Sequence, residues 1–301
     1  MYLLLTLSKF YYPVRGSGDI LQRQAPSAKG RISDDGITHL TAITDLNLSN
    51  NEIITDKALK YLTKLEHLNA YRPRYISNAG IKDLTKLITL KLASDDQKIT
   101  NRVLRNLVNI TELSLENDRM ITGEGISHLT NLEILDLSAT KNNFDDHITC
   151  FTNLTHLSVC RNEVFQGIGL HRLPLLTHLN LNCGAAVRDD HLRPLTNLKV
   201  LTLRGNEIIT DDGIRCLTNL TFLNASYEGN VTDDGISNLT YLESLYLISN
   251  KGVTNGGISG LINLINIHIG SGSCPSRVTE EGISHLTNLT NTKWEPPAKW
   301  W

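Results

Sequence analysis

The sequence is poor in most of the things that would mark out a specialised class of protein. Aromatic residues make up only 6% of its 301 positions, so a packed core has to come from Leu and Ile. Neither sign of charge prevails. Lys and Arg number 29 against 31 Asp and Glu, a formal net charge of -2, which excludes the basic field that holds a whole chain on phosphate backbones or acidic membranes. General nucleic-acid binding is therefore not expected. No apolar run reaches the roughly 18 residues that span a bilayer. The cysteines Cys150, Cys160, Cys183, Cys216 and Cys274 are an odd set without CxxC spacing, which speaks against a metal knuckle or disulfide scaffold and for reduced thiols.

Catalytic signatures are missing too. There is no Gly-x-x-x-x-Gly-Lys-Ser/Thr loop to cradle phosphate and no His-Glu-x-x-His pair for zinc, and Gly16-Ser-Gly18 sits outside any strand-turn-helix context. A non-enzymatic chain without cofactor or metal is expected. The apolar start, Met1 to Phe10, lacks both a preceding basic region and a small-residue cleavage site, which favours an intracellular location over secretion, or the host cytoplasm or a virion if a pathogen encodes it. Asn-x-Ser/Thr sites such as Asn47, Asn153, Asn219 and Asn288 arise largely from a repeated Leu-Thr-Asn-Leu-Thr phrase and say little about export.

What is present is a repeat. A phrase Leu-x-x-Leu-x-Leu, with Ile, Val or Ala as substitutes, begins at Ile43, Leu65, Leu87, Ile110, Leu132, Leu154, Leu176, Leu198, Leu220, Leu242, Leu264 and Leu289. The interval is 22 residues, except 23 after Leu87 and 25 after Leu264. Within the phrase, pairs such as Leu46-Asn-Leu48 and Leu201-Thr-Leu203 alternate apolar with polar, the period of a strand with one buried face. Downstream comes a second phrase, clearest in Ile209-Thr-Asp-Asp-Gly-Ile-Arg-Cys-Leu217, where Thr caps a short helix and Ile214 and Leu217 face inward. One unit cannot cover its own apolar face, so units stack, strands in a parallel sheet and helices opposite. About eleven coils over residues 31–294 then span roughly 50 Å at about 4.8 Å per strand.

These phrases resemble the leucine-rich-repeat family over residues 32–294. The Leu-Thr-Asn-Leu-Thr joints look like internalin-type repeats, and Ile-Thr-Asp-Asp-Gly-Ile is similar to the cysteine-containing and ribonuclease-inhibitor-like classes. The resemblance implies an α/β fold, a right-handed solenoid whose parallel sheet lines the concave face and whose short helices lie on the convex face. It also implies an Asn ladder in the turns, present at Asn51, Asn162, Asn206 and Asn250 but replaced by Pro73, Asp95, Asp118, Thr140, Gly184, Glu228 and Gly272 elsewhere. Residues 1–30 read as either an N-terminal cap or a flexible tail, and residues 295–301, after Trp294 in a strand-core column, as a capping tail closed by Trp300 and Trp301. One extra residue lies within Ala93 to Lys98 and three within Gly270 to Arg277, and the latter segment is expected to protrude as a loop.

The paired acids Asp34/Asp35, Asp145/Asp146, Asp189/Asp190, Asp211/Asp212, Asp233/Asp234 and Glu280/Glu281 recur at expected helix starts, where they suit the positive end of the helix. Candidate binding residues are the polar and aromatic positions that alternate with the strand leucines, since they point out of the concave sheet. His67, Tyr71 and Arg72 come first; Glu112, Glu116 and Asp136 form an acidic patch; His156 and His178 are neighbours on adjacent strands. Arg204, Phe222, Tyr227, Tyr246 and Ile248 follow, with Phe222 and Tyr246 as the preferred exposed aromatic anchor. A metal on the two histidines would need Asp136 or Cys160 to complete it and is not expected. The reading is a monomeric module that binds a protein partner through its concave face; the alternative is a structural, self-assembling component.

Overall fold

The computed structural model describes residues 33–49, 51–71, 74–93, 98–227, 229–270 and 276–293. Within them one leucine phrase after another becomes a three- to five-residue strand, from β1 (Asp45–Asn47) and β2 (His67–Tyr71) to β11 (Asn266–His268) and β12 (Asn291–Lys293). All twelve lie in one open parallel sheet in chain order. Each strand begins two residues after one of the twelve phrase starts, including β12, which forms with Thr292 where the other strands carry Leu or Ile. The register holds the leucines in one column, Leu46 on Leu68, Leu90 on Leu113 and Leu201 on Leu223, all but Leu46 buried. A buried Leu contributes about 1.5–3 kcal/mol, so the core is a sum of many small equal terms.

Opposite the sheet lie one-turn helices, among them α2 (Asp56–Leu59), α3 (Asn78–Ile81), α4 (Asn101–Leu104), α5 (Gly123–Ile126), α7 (Asp211–Ile214) and α8 (Asp233–Ile236). Thr55, Ser77, Thr210, Thr232 and Thr254 cap their helices as expected, each side chain accepting a backbone N–H two residues on, whereas Thr100 and Thr122, ahead of α4 and α5, make no such bond. Ile214 and Leu217 are fully buried. Coils six and seven depart from this pattern. There the helix narrows to 3-10 turns at Ile148–Cys150 and Leu170–Arg172, and the larger side chains of Phe144, Phe151 and Phe165 fill the core beneath them. Asp145/Asp146 consequently precede a 3-10 turn rather than an α-helix.

The paired acids do more than balance a helix end. The first Asp of each Asp pair reaches across to the next coil: Asp211 accepts the Thr232 backbone N–H at 2.7 Å and the Thr232 hydroxyl at 2.7 Å. Asp34 does the same for Thr55, Asp56 for Ser77, Asp189 for Thr210 and Asp233 for Thr254. Asn78, Asn101 and Asn255 substitute with their amide oxygens, each accepting the N–H of the next coil's Thr. Only the second acid, such as the exposed Asp212, stays with its own helix.

Two further ladders run parallel to this one. Asn162 accepts from Val164 and Phe165 in its own turn while its amide donates to Leu137 O at 3.1 Å in the preceding coil, and Asn206 and Asn250 repeat the arrangement. Asp118 supplies the acceptor half, toward Met120 and Ile121, and burial pushes its pKa up. On the joints, Asn109, Asn153, Asn197, Asn219, Asn263 and Asn288 each donate to a carbonyl of the coil before, at 2.8–3.2 Å. The Leu-Thr-Asn-Leu phrase is thus itself an inter-coil clamp. Between strand and turn, Asn117, Ala139, Arg161, Cys183, Tyr227 and Ser249 all hold φ near +56° with Gly205 in the same column, and the N–H groups from Asn117 to Tyr227 continue the ladder to the next coil. Residues 1–32 and 294–301, and with them the expected caps and Trp294, Trp300 and Trp301, lie outside the described residues, as do residues 94–97 and 271–275.

Replacing Asp211 by Ala leaves the Thr232 N–H and hydroxyl without their acceptor and should cost about 2 kcal/mol. Asp212→Ala, which loses an exposed pairing with Arg215, should cost less than about 0.5 kcal/mol. Urea midpoints of the two variants measure the contrast, and equal losses would show that the inter-coil bond is not what matters.

Candidate interaction surface

The face of the sheet turned away from the helices carries two side chains from each strand, in columns about 4.8 Å apart. At that spacing side chains meet their neighbours before they meet solvent. In the middle of the face they satisfy one another: Ser158 contacts the Ser138 hydroxyl at 2.8 Å and receives the Asn180 amide at 3.1 Å, and Asn180 accepts from Thr202 at 2.8 Å. Asp136 closes this row by accepting from the Ser138 N–H and hydroxyl and from Ser114. Glu112 is taken up by Lys91 at 3.1 Å, so the acidic patch read from Glu112, Glu116 and Asp136 is partly neutralised, with Glu112 and Asp136 in different columns.

His156 and His178 are register partners, as their spacing implied. Their rings stack at 3.8 Å and 17°, and each Nδ1 contacts the hydroxyl of the preceding threonine, Thr155 or Thr177. Near-parallel rings send their remaining nitrogens side by side rather than to one point, and no group of three metal-capable side chains occurs among the described residues. Burial lowers the pKa of both histidines, and His178, with His156 and Lys199 adding to the effect, falls to about 4. Cys160 lies beside Cys183, and burial pushes its thiol up to about 12. His67 bonds Thr89 at 3.0 Å and shares its strand with Tyr71; Arg72 lies outside the described residues.

The expected aromatic anchor is corrected by the structure. Phe222, Tyr246 and Ile248 are buried, at 8%, 6% and 4% exposure. Phe222 packs on Tyr246 at 5.2 Å and Tyr246 stacks on His268 at 4.0 Å, so these rings form a small second core on the outward face. The same burial raises the Tyr246 pKa. What stays available is their neighbour Tyr227, 47% exposed, with the Arg204 guanidinium 5.0 Å above its ring. Sequence reasoning also missed the His268 ring, whose column follows from the register once His268 is set opposite Tyr246.

No protein-family model matches the sequence, and no curated protein matches it either. Solved structures do. An internalin, InlF of Listeria monocytogenes, is similar at 22% identity over 88% of this chain and 89% of its own, with a TM-score of 0.55. A leucine-rich-repeat protein of Leptospira interrogans is similar at 20% identity over 86% of this chain and 74% of its own, with a TM-score of 0.58. The chain is a leucine-rich-repeat solenoid. The functional domain of a third similar structure, InlJ of Listeria monocytogenes, includes a cysteine ladder; it shares 20% identity over 85% of this chain and 54% of its own, with a TM-score of 0.57. This solenoid has no such ladder among its described residues, where Cys150, Cys160, Cys183 and Cys216 are free and do not follow one another in a single column. No helix among the described residues is long and apolar enough to cross a membrane.

The stacked histidines give the solenoid a pH-dependent term of known sign. A histidine whose pKa is depressed by folding binds its proton more readily when unfolded, so the stabilisation is complete above about pH 6.5 and is lost as pH falls toward 4. Allowing for the ring's partial exposure, the loss amounts to roughly 1–2 kcal/mol. Urea titrations at pH 7 and 5 should show a smaller drop for His178→Gln than for the unaltered chain; parallel drops would remove the histidine stack as the cause.

Proposed function

We propose that this solenoid is a non-enzymatic protein-binding module that receives its partner on the concave face, with Arg204 and Tyr227 as the anchor. The observation that carries the reading is the division of that face: a central row of Ser, Asn and Thr already bonded to one another, and beside it an arginine stacked on a tyrosine that is half open to solvent. Arg and Tyr are enriched where binding energy concentrates, because they combine large contact area with directional polar atoms. Glu116, with the Lys91–Glu112 pair, His67 and Tyr71, supplies polar contacts toward the other end of the face. Extended faces of this kind are what stacked repeats offer to other proteins, and a standard contact of about 1,200–2,000 Å² fits along it. A similar solved structure is a complex of TLR13 with single-stranded RNA, at 20% identity over 84% of this chain and 41% of that one, TM-score 0.58. The fold therefore leaves the class of partner to the side chains.

Partners recovered from the native cell should bind at least tenfold more weakly to the double variant Arg204→Glu/Tyr227→Ala, with no change in melting temperature. Phe222→Ala, by contrast, should lower stability by about 3 kcal/mol because it empties a packed site. Undiminished binding by the double variant would move the partner off this face.

A self-assembling component is the second reading, and one observation favours it. Tyr241, Ile262 and Ile265 are 61%, 60% and 38% exposed on adjacent coils at one joint edge. Light scattering at millimolar chain decides: a monomer ends this reading, whereas association abolished by Tyr241→Ser/Ile262→Ser supports it.

A further inference from the structure

We propose that the convex flank of coils two to four binds single-stranded nucleic acid, holding phosphates on rows of Lys and Arg and stacking a base on Tyr61. The chain's net charge of -2 conceals a strong segregation. Between residues 51 and 110 there are eleven Lys and Arg against six Asp and Glu, and between 111 and 170 three against nine. A whole-chain total cannot show a local field of this kind.

The fold gathers much of that charge on one side. Lys60, Lys82 and Arg105 are the residues that end α2, α3 and α4, one per coil, and all three are exposed. Lys64 and Lys86 make a second exposed row on the joints, and Lys57 and Arg102 extend the patch along the helices. Nothing cancels it. Asp56 is spent on Ser77, and Asp83 lies 3.9 Å from Lys82 with both side chains exposed, a weak pairing. Asp35 and Glu124 stand only at the rim.

The repeat does not ask for these cations. The helix-end column reads Thr38, Ser127, Ser237, Ser259 and Ser284 in five other coils, so a small hydroxyl serves the fold there, while Arg193 and Arg215 carry single cations in coils without a basic joint beside them. In the joint column, Asn109, Asn153, Asn197, Asn219, Asn263 and Asn288 donate to the coil before. Lys64 and Lys86 occupy that column in place of Asn. Leu175 and Tyr241 also stand there without the amide, so the fold tolerates its loss, and on this flank the position is used for positive charge.

Tyr61 identifies the ligand. It sits between Lys60 and Lys64, is 51% exposed, and has the Lys60 Nζ 5.1 Å from its ring centroid. An aromatic ring within a cationic patch takes an unpaired base on its face while the cations take the backbone. An acidic peptide or an anionic membrane would satisfy the cations and leave the ring without a role. The acidic coils that follow, with Glu124, Glu133 and Asp146 exposed, repel a strand running along the solenoid, so the strand crosses it.

Fluorescence anisotropy with labelled ten-nucleotide oligo-dT and oligo-rU tests this. At low salt the chain should bind in roughly the micromolar range, and log affinity should fall against log salt with a slope of about -3. Lys60→Glu/Lys82→Glu/Arg105→Glu should weaken binding at least 100-fold, whereas Arg193→Glu/Lys199→Glu/Arg215→Glu, an equal charge change elsewhere, should stay within about threefold of the parent. Tyr61→Ala should cost roughly tenfold. The proposal is overturned if neither oligonucleotide binds, if the two triple variants lose equally, if Tyr61→Ala is neutral, or if only polyglutamate or phosphatidylserine vesicles bind through this patch. The experiment is independent of the concave-face partner, whose binding the same triple variants should leave unchanged.

Discussion

Almost every polar bond that matters in this molecule runs from one coil to the next. The sheet N–H groups do so by construction, and three side-chain ladders repeat it on the helix side, in the turns and at the joints: Asp211 to Thr232, Asn162 to Leu137, Asn219 to Thr196. A coil by itself is a three-residue strand and a four-residue helix, far too short to persist alone, since helix nucleation costs more than one turn returns. Stability comes from adjacency. The 22-residue interval is the expression of that, because a shift of one residue would put an Asp opposite the wrong Thr and a leucine on the wrong side of the sheet.

That dependence explains why the architecture could be read from the residues and why much of the site could not. Leucine columns, helix caps and the inward Ile214 and Leu217 follow from periodicity alone, and they appear where it puts them. The paired acids stand in the first helical turn as their spacing implies, but the second role of the first Asp, toward the next coil, is not legible locally because its partner sits 21 residues away. The left-handed column is hard to see in the sequence: Ala139, Arg161, Cys183, Tyr227 and Ser249 share no chemistry, and Asn117 and Gly205 alone among the seven carry the usual mark of positive φ. Inter-coil bonding imposes that conformation against side-chain preference.

The outward face shows a second limit. Alternation correctly placed Phe222 and Tyr246 on the side away from the helices, but pointing away from the core is not the same as meeting water. Parallel strands hold like positions so close that a ring on one strand is roofed by the next, and exposure there is a property of a column, never of one residue. The same holds for charge. Summed over the chain, Lys60, Lys82 and Arg105 vanish into near neutrality; stacked by the fold, they become a surface.

The stack is not uniform along its length. At Gly123, and again at Gly167, the helix-side ladder has no side chain with which to accept; at the first of these the His147 ring lies over the glycine from the following coil, which carries a 3-10 turn in place of a helix. In a linear array each boundary carries its own coupling energy, and the array parts first where the coupling is smallest. The sheet and the leucine core continue across this boundary, so the two sides remain one body under native conditions. Under stress they have the makings of two cooperative blocks, with the basic flank belonging wholly to the first and the buried aromatic cluster of Phe222, Tyr246 and His268 wholly to the second.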